Sequence, residues 1–400
     1  MNTDTKTAPH AGSISPLLVY NRNIPAVPFI LLGLIFCAAG GAAIITVFAK
    51  GHEALYGVTR QMPWGLLIAT YAYFVITSTG IAFIGGLAHA FGYEKYAALS
   101  RRTVVLATVV LLAGFTQILM ELGSPLRMIQ MMISPNFSAP IFWMGVFYGI
   151  ELVILAVELI FVFRPGNHTL AAVTGFLALL VGVLATSNLG FVFGSLGARA
   201  WYSGAYFSLF LVVSGVTAGA ALLILTHFIV YKGKAPAGTE KALASLGKLM
   251  GGGIGVMMLL YLWKMVSSLF AGHGDGYAAA YALIKGPLSM NFWVGEILLA
   301  VLIPLLLVVT SGGRLKNLAL AGLVYMLGLF FTRYDFVLAG QIPAMRGGFF
   351  GAGVVPDVSG LFMYSPSAAE WLVFMFGLGV FLLLYFSAEK FLDLETENIH

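Results

Sequence analysis

The chain has 400 residues and a formal net charge of +5, with 60% hydrophobic and only 9% charged residues. Soluble domains carry about 25% charged residues, so this composition excludes a soluble globular protein and indicates a chain that crosses a lipid bilayer several times. The basic residues are scattered between apolar segments rather than collected in blocks, which gives no sign of nucleic-acid binding.

Ten apolar segments are long enough to cross a bilayer, whose hydrocarbon core needs about 20 residues per helix. In chain order the predicted helices span 26–49, 64–91, 103–122, 141–163, 169–193, 204–230, 247–270, 290–310, 316–333 and 368–388. The fold class is therefore all-α, a polytopic helical bundle over 26–388 between an N-terminal tail (1–25) and a C-terminal tail (389–400). Pro304 lies inside the eighth segment and predicts a kink. Glycines such as those in TSTGIAFIGG predict close helix contacts.

The distribution of Lys and Arg predicts the orientation. With the N-terminus in the cytoplasm, thirteen basic residues lie on the cytoplasmic side and one, Lys264, lies within a span. The opposite side then holds seven, namely Lys50, Arg60, Arg127, Arg199, Lys285, Arg333 and Arg346. Because cytoplasmic loops are enriched in Lys and Arg, we predict that both termini are cytoplasmic, as tails of the transmembrane domain. The polar N-terminus lacks the pattern of a cleaved signal peptide.

Longer loops, rich in glycine, proline and aromatic residues, fall on the predicted outer face. They span 50–63, 123–140, 194–203, 271–289 and 334–367. A large aromatic surface with little charge is typical of a docking site for a protein partner. The alternative is that these loops only cover the helix ends.

Ionisable residues at membrane depth are costly and usually functional. Glu121 closes the third segment, and Glu151 and Glu158 lie seven residues apart on one face of the fourth. Lys264 and Glu296 lie in the seventh and eighth segments. The other polar candidates near the outer ends are Asn188, in the fifth segment, and Arg333, Asp335 and Gln341, at or just beyond the end of the ninth.

These groups suit a quinone. The ring is flat and stacks on aromatic side chains, its carbonyls need hydrogen-bond donors, and its reduction needs protons. We predict a quinone site formed by Trp64, Tyr71, Glu121, Asn188 and Gln341. Two structural alternatives stay open, in which Lys264 forms an ion pair with Glu296, and Glu121 bonds to Arg127.

A proton route is a second prediction. Five ionisable residues at graded depths would link the cytoplasm to the quinone. They are Glu158, Glu151 and the outer groups Glu121, Lys264 and Glu296. The alternative is that the protonated glutamates only bond neighbouring helices.

Metal and haem sites are not expected in this chain. The one cysteine, Cys37, excludes an intrachain disulfide and a cysteine-ligated zinc or iron–sulfur site. A bis-histidine haem needs facing histidines at matched depth. His89 and His227 lie near inner helix ends without forming repeated pairs.

Several short motifs occur in an order and spacing that resemble the NrfD/polysulfide-reductase-type family of membrane subunits. They are PWGLLIATYAYFVITSTG (63–80), HAFGYEKYAALSRR (89–102), MELGSPLRM (120–128), PNFSAPIFW (135–143) and SNLGFVFGS (187–195). A further motif, TRYDFVLAGQIP (332–343), is similar to the ten-helix branch of that family.

The resemblance implies two four-helix bundles with two added helices, in a bacterial or archaeal cytoplasmic membrane. It implies a haem-free subunit that exchanges electrons between a quinone pool, such as menaquinone, and an iron–sulfur subunit docked on the periplasmic side, within a complex that has further subunits. In the family an acidic residue precedes a Gly-x-Pro-x-Arg turn, and Glu121 and Arg127 occupy those positions. Glu121 would then face the quinone, while Arg127 would hold the turn or contact the partner. We assign Arg333 and Asp335 to the same role.

Two other functions remain open. A secondary transporter is compatible with ten helices, a helix broken at Pro304 and buried charges, but the polar groups gather toward one face and no clear internal repeat is visible. A passive anchor for a soluble oxidoreductase is the third possibility. Whether protons are translocated is left open.

Overall fold

Ten helices in the described part of the chain are long and apolar enough to cross a membrane. The structure is a computed structural model and describes residues 20–21, 23–91, 93–123, 128–164, 168–236, 238–344 and 361–394. The predicted fold class and helix count are confirmed, and the chain is a multi-pass membrane protein. The helices are α1 (Val27–Lys50), α2 (Leu66–Phe91), α3 (Ser100–Glu121), α4 (Met128–Ile133), α5 (Pro140–Val162), α6 (His168–Gly194), α7 (Tyr206–Val230), α8 (Glu240–Phe270), α9 (Gly274–Ile284), a π-helix π1 (Asn291–Leu302) continuing into α10 (Ile303–Thr310), α11 (Leu315–Ala339) and α12 (Ala368–Phe391).

The end of the ninth span differs from the prediction. The helix runs to Ala339 rather than stopping at residue 333, so Arg333 and Asp335 lie inside α11 and not in an outer loop. The prediction stopped there because charged residues often mark the membrane boundary. Here both charged side chains are buried in the protein, and the sequence YDFVLA that follows Arg333 continues the helix. Without Arg333 the outer count of basic residues falls from seven to six.

The eighth span changes its helix type along its length. It begins as π1 and becomes an α-helix at Ile303, one residue before Pro304. Proline has no backbone N–H to donate to the preceding turn, so a change of helical geometry is expected where it stands. Pro304 therefore marks the transition between the two geometries.

The helices form two bundles of four and one added pair. The first bundle consists of α2, α3, α5 and α6, and the second consists of α7, α8, π1–α10 and α11. Helix α1 packs along α12, which in turn packs on α3. This arrangement confirms the architecture that the family resemblance implied.

Glycines permit the close contact between the bundles. A Cβ atom at Gly80 of α2 would lie 1.7 Å from the carbonyl oxygen of Gly215 in α7, and one at Gly219 would lie 2.4 Å from the backbone of Gly80. Any larger residue would push these helices apart, as is usual where membrane helices cross closely. Because α2 and α7 are in close contact here, polar side chains of the two bundles can meet in the protein interior.

The helix ends gather at two ends of the molecule. At one end, which we call the Glu121 end, five helices finish and five begin. Those that finish are α1, α3, α6, α8 and α11, and those that begin are α2, α5, α7, π1 and α12. At the other end, called the Glu389 end, Arg102 donates from Nε and Nη2 to the carboxylate oxygens of Glu389 at 2.6 and 3.1 Å. This buried ion pair joins α3 to α12. The predicted orientation would place the Glu121 end outside the cytoplasm.

Candidate functional site

Glu121 is the last residue of α3 and keeps one carboxylate oxygen free. Its Oε2 atom is buried and has no hydrogen-bond partner among the described residues. The chain turns at Gly123, whose φ of +61° is a backbone conformation that favours glycine. Arg127, predicted to hold this turn or contact the partner, lies outside the described residues, so its role stays a prediction.

Two cavities lie beside this helix end. The larger, about 710 Å³, is lined by Lys50, His52, Glu53, Leu122, Gly123, Met128 and Met131 together with Gly51 and Ala54. A smaller one of about 70 Å³ lies between α1 and α3, next to Leu119 and Met120. Residues on both sides of Glu121 line these cavities, although its own side chain does not. The cavities therefore adjoin the end of α3, while the free carboxylate oxygen of Glu121 is itself buried.

A second carboxylate, which the sequence analysis missed, lies near Glu121. Glu370 of α12 is fully buried, and its Oε2 accepts hydrogen bonds from the backbone N–H groups of Gly57 and Ser367, both at 2.8 Å. Tyr364 donates its hydroxyl to Oε1 of the same residue. The sequence Ser-Ala-Ala-Glu at 367–370 is a helix capping box. That pattern was visible in the sequence and could have identified Glu370.

Tyr56 lies within electrostatic range of both carboxylates. Its hydroxyl donates to the carbonyl oxygen of Met120 at 3.2 Å, at the end of α3. Burial, together with the negative charges of Glu121 and Glu370, raises the pKa of Tyr56 well above its usual range. Tyr56 therefore stays protonated and remains a hydrogen-bond donor at this end of α3.

Two of the predicted quinone ligands contact each other. Gln341 accepts from the backbone N–H of Trp64 at 3.1 Å and donates from Nε2 to the carbonyl oxygens of Trp64 and Val337 at 2.9 and 2.7 Å. The Trp64 ring packs edge-on against Phe193. The amide of Gln341 thus joins the start of α2 to the end of α11 through the backbone.

Asn188 and Tyr71 lie in other parts of the first bundle. Asn188 donates from Nδ2 to the carbonyl oxygen of Pro140 at 2.9 Å, at the start of α5. Tyr71 is buried, with its ring edge-on to Tyr148 at a centroid distance of 6.0 Å. The hydrogen bonds and ring contacts of the predicted ligands are therefore distributed over several helix ends rather than gathered around the Glu121 carboxylate.

Arg199 was counted only as a loop cation, but it fixes the loops of this end. Its guanidinium donates to the carbonyl oxygens of Gly340, Gln341 and Pro343 at 3.0–3.2 Å, and to that of Gln61 at 3.2 Å. One side chain thus ties three connections together. Sequence patterns gave no signal for this role because its partners are backbone atoms of distant segments.

The predicted proton-route glutamates of α5 face the protein interior. Glu151 and Glu158 are both buried, and Glu151 accepts a hydrogen bond from Thr79 Oγ1 at 3.2 Å. Seven residues separate them, which is about 10 Å along a helix. Tyr71 and Tyr148 lie within electrostatic range of Glu151. The shared helix face predicted from the spacing is present, and conduction of protons stays a prediction.

Arg333 is buried between the two bundles, so the predicted contact with an outside partner is not available to it. It is 0% exposed and donates from Nη2 to Ser214 Oγ at 2.6 Å. Its Nε and Nη1 have no hydrogen-bond partner among the described residues. The tyrosines within electrostatic range of it are Tyr73, Tyr148 and Tyr325. A buried cation with free donors is an unusual feature at membrane depth.

Lys264 does not form the ion pair with Glu296 that the sequence left open. No ion pair of either residue occurs in the described ranges. The ammonium instead lies over the rings of Trp201, Tyr206 and Phe207, with distances to the centroids of 5.0, 5.4 and 5.7 Å. These aromatic side chains lie in and just before the first turn of α7, and cation–π contacts with them stabilise the charge of Lys264.

Glu296 and Asp335 form a buried pair instead. The two carboxyl groups are buried and lie within electrostatic range of each other. Tyr261 donates its hydroxyl to Glu296 Oε1 at 3.3 Å, and Asn291 donates from Nδ2 to Asp335 Oδ1 at 3.0 Å. Asp335 was predicted to hold a turn or meet a partner, and its burial in α11 excludes contact with an outside protein.

Comparison with known proteins identifies the family. The family described as "Polysulphide reductase, NrfD" matches residues 55–344. The chain is 23% identical to a selenate reductase subunit of Mesobacillus selenatarsenatis, over 88% of this chain and 91% of that protein. It is equally 23% identical to the "Hdr-like menaquinol oxidoreductase integral membrane subunit" of Archaeoglobus fulgidus, over 85% and 87%. A third relative is a putative dimethyl sulfoxide reductase membrane subunit of Halobacterium salinarum, 23% identical over 85% of both chains.

The family match covers both bundles and the Glu121 end. Residues 55–344 run from the loop before α2 to the turn after α11. The resemblance seen in the short motifs is thereby confirmed over most of the chain. The chain belongs to the NrfD polysulphide reductase family.

Proposed function

We propose that this chain is the quinone-reactive membrane subunit of a multi-subunit redox complex in a bacterial or archaeal cytoplasmic membrane. All three relatives are named as subunits of reductases or oxidoreductases, and one name specifies menaquinol. The observation that carries the proposal is the buried Oε2 of Glu121, which has no partner among the described residues, at a helix end whose neighbouring residues line an open cavity. A carboxylate in that position can accept a proton from a quinol, and the carboxylic acid form can donate one to a quinone that is being reduced.

The quinone ring would bind at the Glu121 end. Tyr56, which stays protonated, supplies a hydroxyl near the end of α3, and Glu370 holds the start of α12 in place. Trp64 and Gln341 link α2 to α11 at the same end. Tyr71 and Asn188 remain proposed contacts of the ring or its tail.

The electrons would pass to or from a partner with an iron–sulfur cluster docked at the same end. Several large apolar side chains in the loops and helix ends there are exposed, as in protein interfaces. They include Ile129, Ile133, Phe137, Phe270 and Met363. Oxidation of a quinol releases two electrons and two protons, so the partner takes the electrons while carboxylates of this chain take the protons.

A proton route would lead from the Glu121 end into the membrane. Glu151 lies about 16 Å along α5 from the start of that helix, and Glu158 lies beyond it. Tyr148 lies within electrostatic range of both Glu151 and Arg333. We add Arg333 to the predicted route, since its free donors can bind water or a hydroxyl group between the Glu121 end and Glu151. Lys264 and Glu296 would belong to a branch in the second bundle.

Glu121→Gln in the purified complex tests the site. We expect quinol turnover to fall about 100-fold, because an amide cannot exchange the proton, with no loss of assembly. Glu240→Gln, an exposed carboxylate at the Glu389 end, is the matched control and should leave turnover unchanged. Unchanged turnover in Glu121→Gln would indicate a passive anchor, and solute uptake by the chain alone in liposomes would indicate a transporter.

Glu151→Gln tests the route separately from the site. Bound quinone should be retained, while proton-coupled turnover should fall roughly tenfold or more because an interior step is blocked. Proton uptake measured with a pH dye in proteoliposomes should fall in parallel. If both rates match those of the wild type, Glu151 is not on the route.

A further inference from the structure

A second cavity opens on the flank of the second bundle, between α8 and π1. It has a volume of about 410 Å³, within the range of about 300–1,000 Å³ that is usual for small-molecule sites. Exposed side chains of Met258, Leu262, Val266 and Trp293 surround its mouth. Since these side chains lie on membrane-spanning helices, the mouth faces the hydrocarbon of the bilayer. A ligand would enter from the lipid phase.

The inner wall of the cavity is aromatic and polar. The Tyr261 ring contacts those of Phe210 and Phe292, with centroid distances of 5.9 and 6.1 Å. Glu296, which is buried, also lines the cavity. A flat ring could stack on these aromatic faces while a polar atom on its edge reaches the Glu296 carboxyl or the Tyr261 hydroxyl.

A second buried carboxyl group accompanies the one at this wall. Asp335 lies within electrostatic range of Glu296, and both side chains are buried. Asp335 Oδ2 has no hydrogen-bond partner in the described part of the chain, although it is buried. Asp335 therefore adds a buried oxygen without a described partner next to the Glu296 side chain that lines the cavity.

The backbone at this wall is also unusual. Glu296 and Asn291 both lie in π1, which extends over 12 residues. A π-helix is rare, normally lasts about one turn and is frequent at functional sites. Gly295 in π1 fits closely against Phe331, where a Cβ atom would lie 2.3 Å from the ring. Of these two polar residues of π1, Glu296 lines the cavity, and Asn291 bonds to Asp335.

We propose that this cavity binds the ring of a lipid-soluble quinone, with a ring oxygen bonded to the Tyr261 hydroxyl or to the Glu296 carboxyl beside Asp335. It is a second site in the bundle opposite to Glu121. An acyl chain would fill the apolar mouth, but it needs neither hydrogen-bond donors nor two buried carboxyl groups, which are expensive to bury without a role. The proposal does not depend on redox chemistry at the Glu121 end.

Photolabelling of the full-length chain in nanodiscs tests this site, with a photoreactive azido-naphthoquinone as the probe and peptide mapping by mass spectrometry. We expect label on 257–269 or 291–301 in addition to the Glu121 end. Met258→Trp should fill the mouth and reduce the cavity label at least fivefold, while label near Glu121 persists. Leu259→Trp is the matched control, because Leu259 is more exposed than Met258 (63% against 44%) and does not line the cavity.

Competition decides between the occupants. An excess of menaquinone-4 should displace the cavity label, whereas an excess of phosphatidylglycerol should not. Displacement by the phospholipid alone, an equal label in Met258→Trp, or no label at the cavity overturns the proposal. Label at the cavity without label near Glu121 would contradict the proposed function and leave the second site intact.

Tyr261→Phe tests the polar wall while it keeps the ring. We expect the cavity label to fall about threefold, less than in Met258→Trp, with thermal stability measured in the same nanodiscs to check folding. An unchanged label would show that the hydroxyl takes no part in binding and would overturn the proposed contact.

Discussion

Two buried arginines of this protein have opposite surroundings. Arg102, at the Glu389 end, is 3% exposed and forms a two-pronged ion pair with Glu389, while Tyr231 lies under its guanidinium. Arg333, between the bundles, is 0% exposed, and Ser214 is its one hydrogen-bond partner among the described residues. Within the described residues no carboxylate forms an ion pair with Arg333.

The charge of Arg102 is compensated by a partner and stabilises the fold, whereas burial of the Arg333 charge is unfavourable. A buried cation is expensive unless a partner compensates it. Glu389 compensates Arg102, and Tyr385 donates to the same carboxylate at 2.6 Å. Free donors of Arg333 must be satisfied by something outside the described protein atoms, such as water. That difference is why we place Arg333 on the proposed proton route and Arg102 in the scaffold.

Arg102→Ala should have the largest effect on stability. Removing one partner of a buried ion pair leaves Glu389 uncompensated and typically costs about 3–5 kcal/mol. We expect a clear fall in the thermal unfolding temperature in detergent. Arg101→Ala is the matched control, since the neighbouring Arg101–Asp393 pair at 3.2 Å is partly exposed and should contribute at most about 1 kcal/mol. Equal losses in both variants would contradict the comparison.

Arg333→Met should leave the fold stable and impair turnover. Methionine fills the space without a charge, and replacing an uncompensated buried charge is often neutral or stabilising. We expect proton-coupled quinol turnover to fall on the order of tenfold and the unfolding temperature to stay close to that of the wild type. A loss of stability as large as that of Arg102→Ala would show that Arg333 is structural instead.

Ser367→Ala should have the smallest effect and concerns the scaffold of the candidate site. The Ser367 hydroxyl accepts from the backbone N–H of Glu370 at 3.2 Å, and loss of such a helix cap costs about 1 kcal/mol. Unfolding measured by hydrogen exchange should show earlier opening at the start of α12. Quinol turnover should change less than twofold, and a loss as large as that of Glu121→Gln would place Ser367 in the site itself.

The predicted helices were nearly complete because lipid imposes a simple rule. A span must be about 20 apolar residues long and satisfy its own backbone, so ten runs of apolar sequence were sufficient to count the helices. The predicted end of the ninth span was wrong because Arg333 and Asp335 interrupt its apolar sequence, although α11 continues to Ala339. Hydropathy treats a charge as a boundary and does not reveal whether the charge faces lipid, water or protein.

Polar partners were harder to predict than polar positions. Glu121, Glu151 and Glu296 were identified because carboxylates at membrane depth are rare. Their surroundings depend on residues far away in sequence, such as Thr79 for Glu151 and Asp335 for Glu296. Glu370 was overlooked because it stands at a predicted helix start, where a carboxylate is ordinary.

By itself the sequence determined the membrane class, the number of spans, the family motifs and the unusual glutamates, because each follows from local composition or from residues close in the chain. Only the tertiary structure decided that Lys264 lies on aromatic rings, that Glu296 pairs with Asp335, and that Arg333 faces the interior with free donors. Those outcomes depend on which faces of the helices are in contact. In this protein, glycines such as Gly80 and Gly215 permit the close contact of α2 with α7.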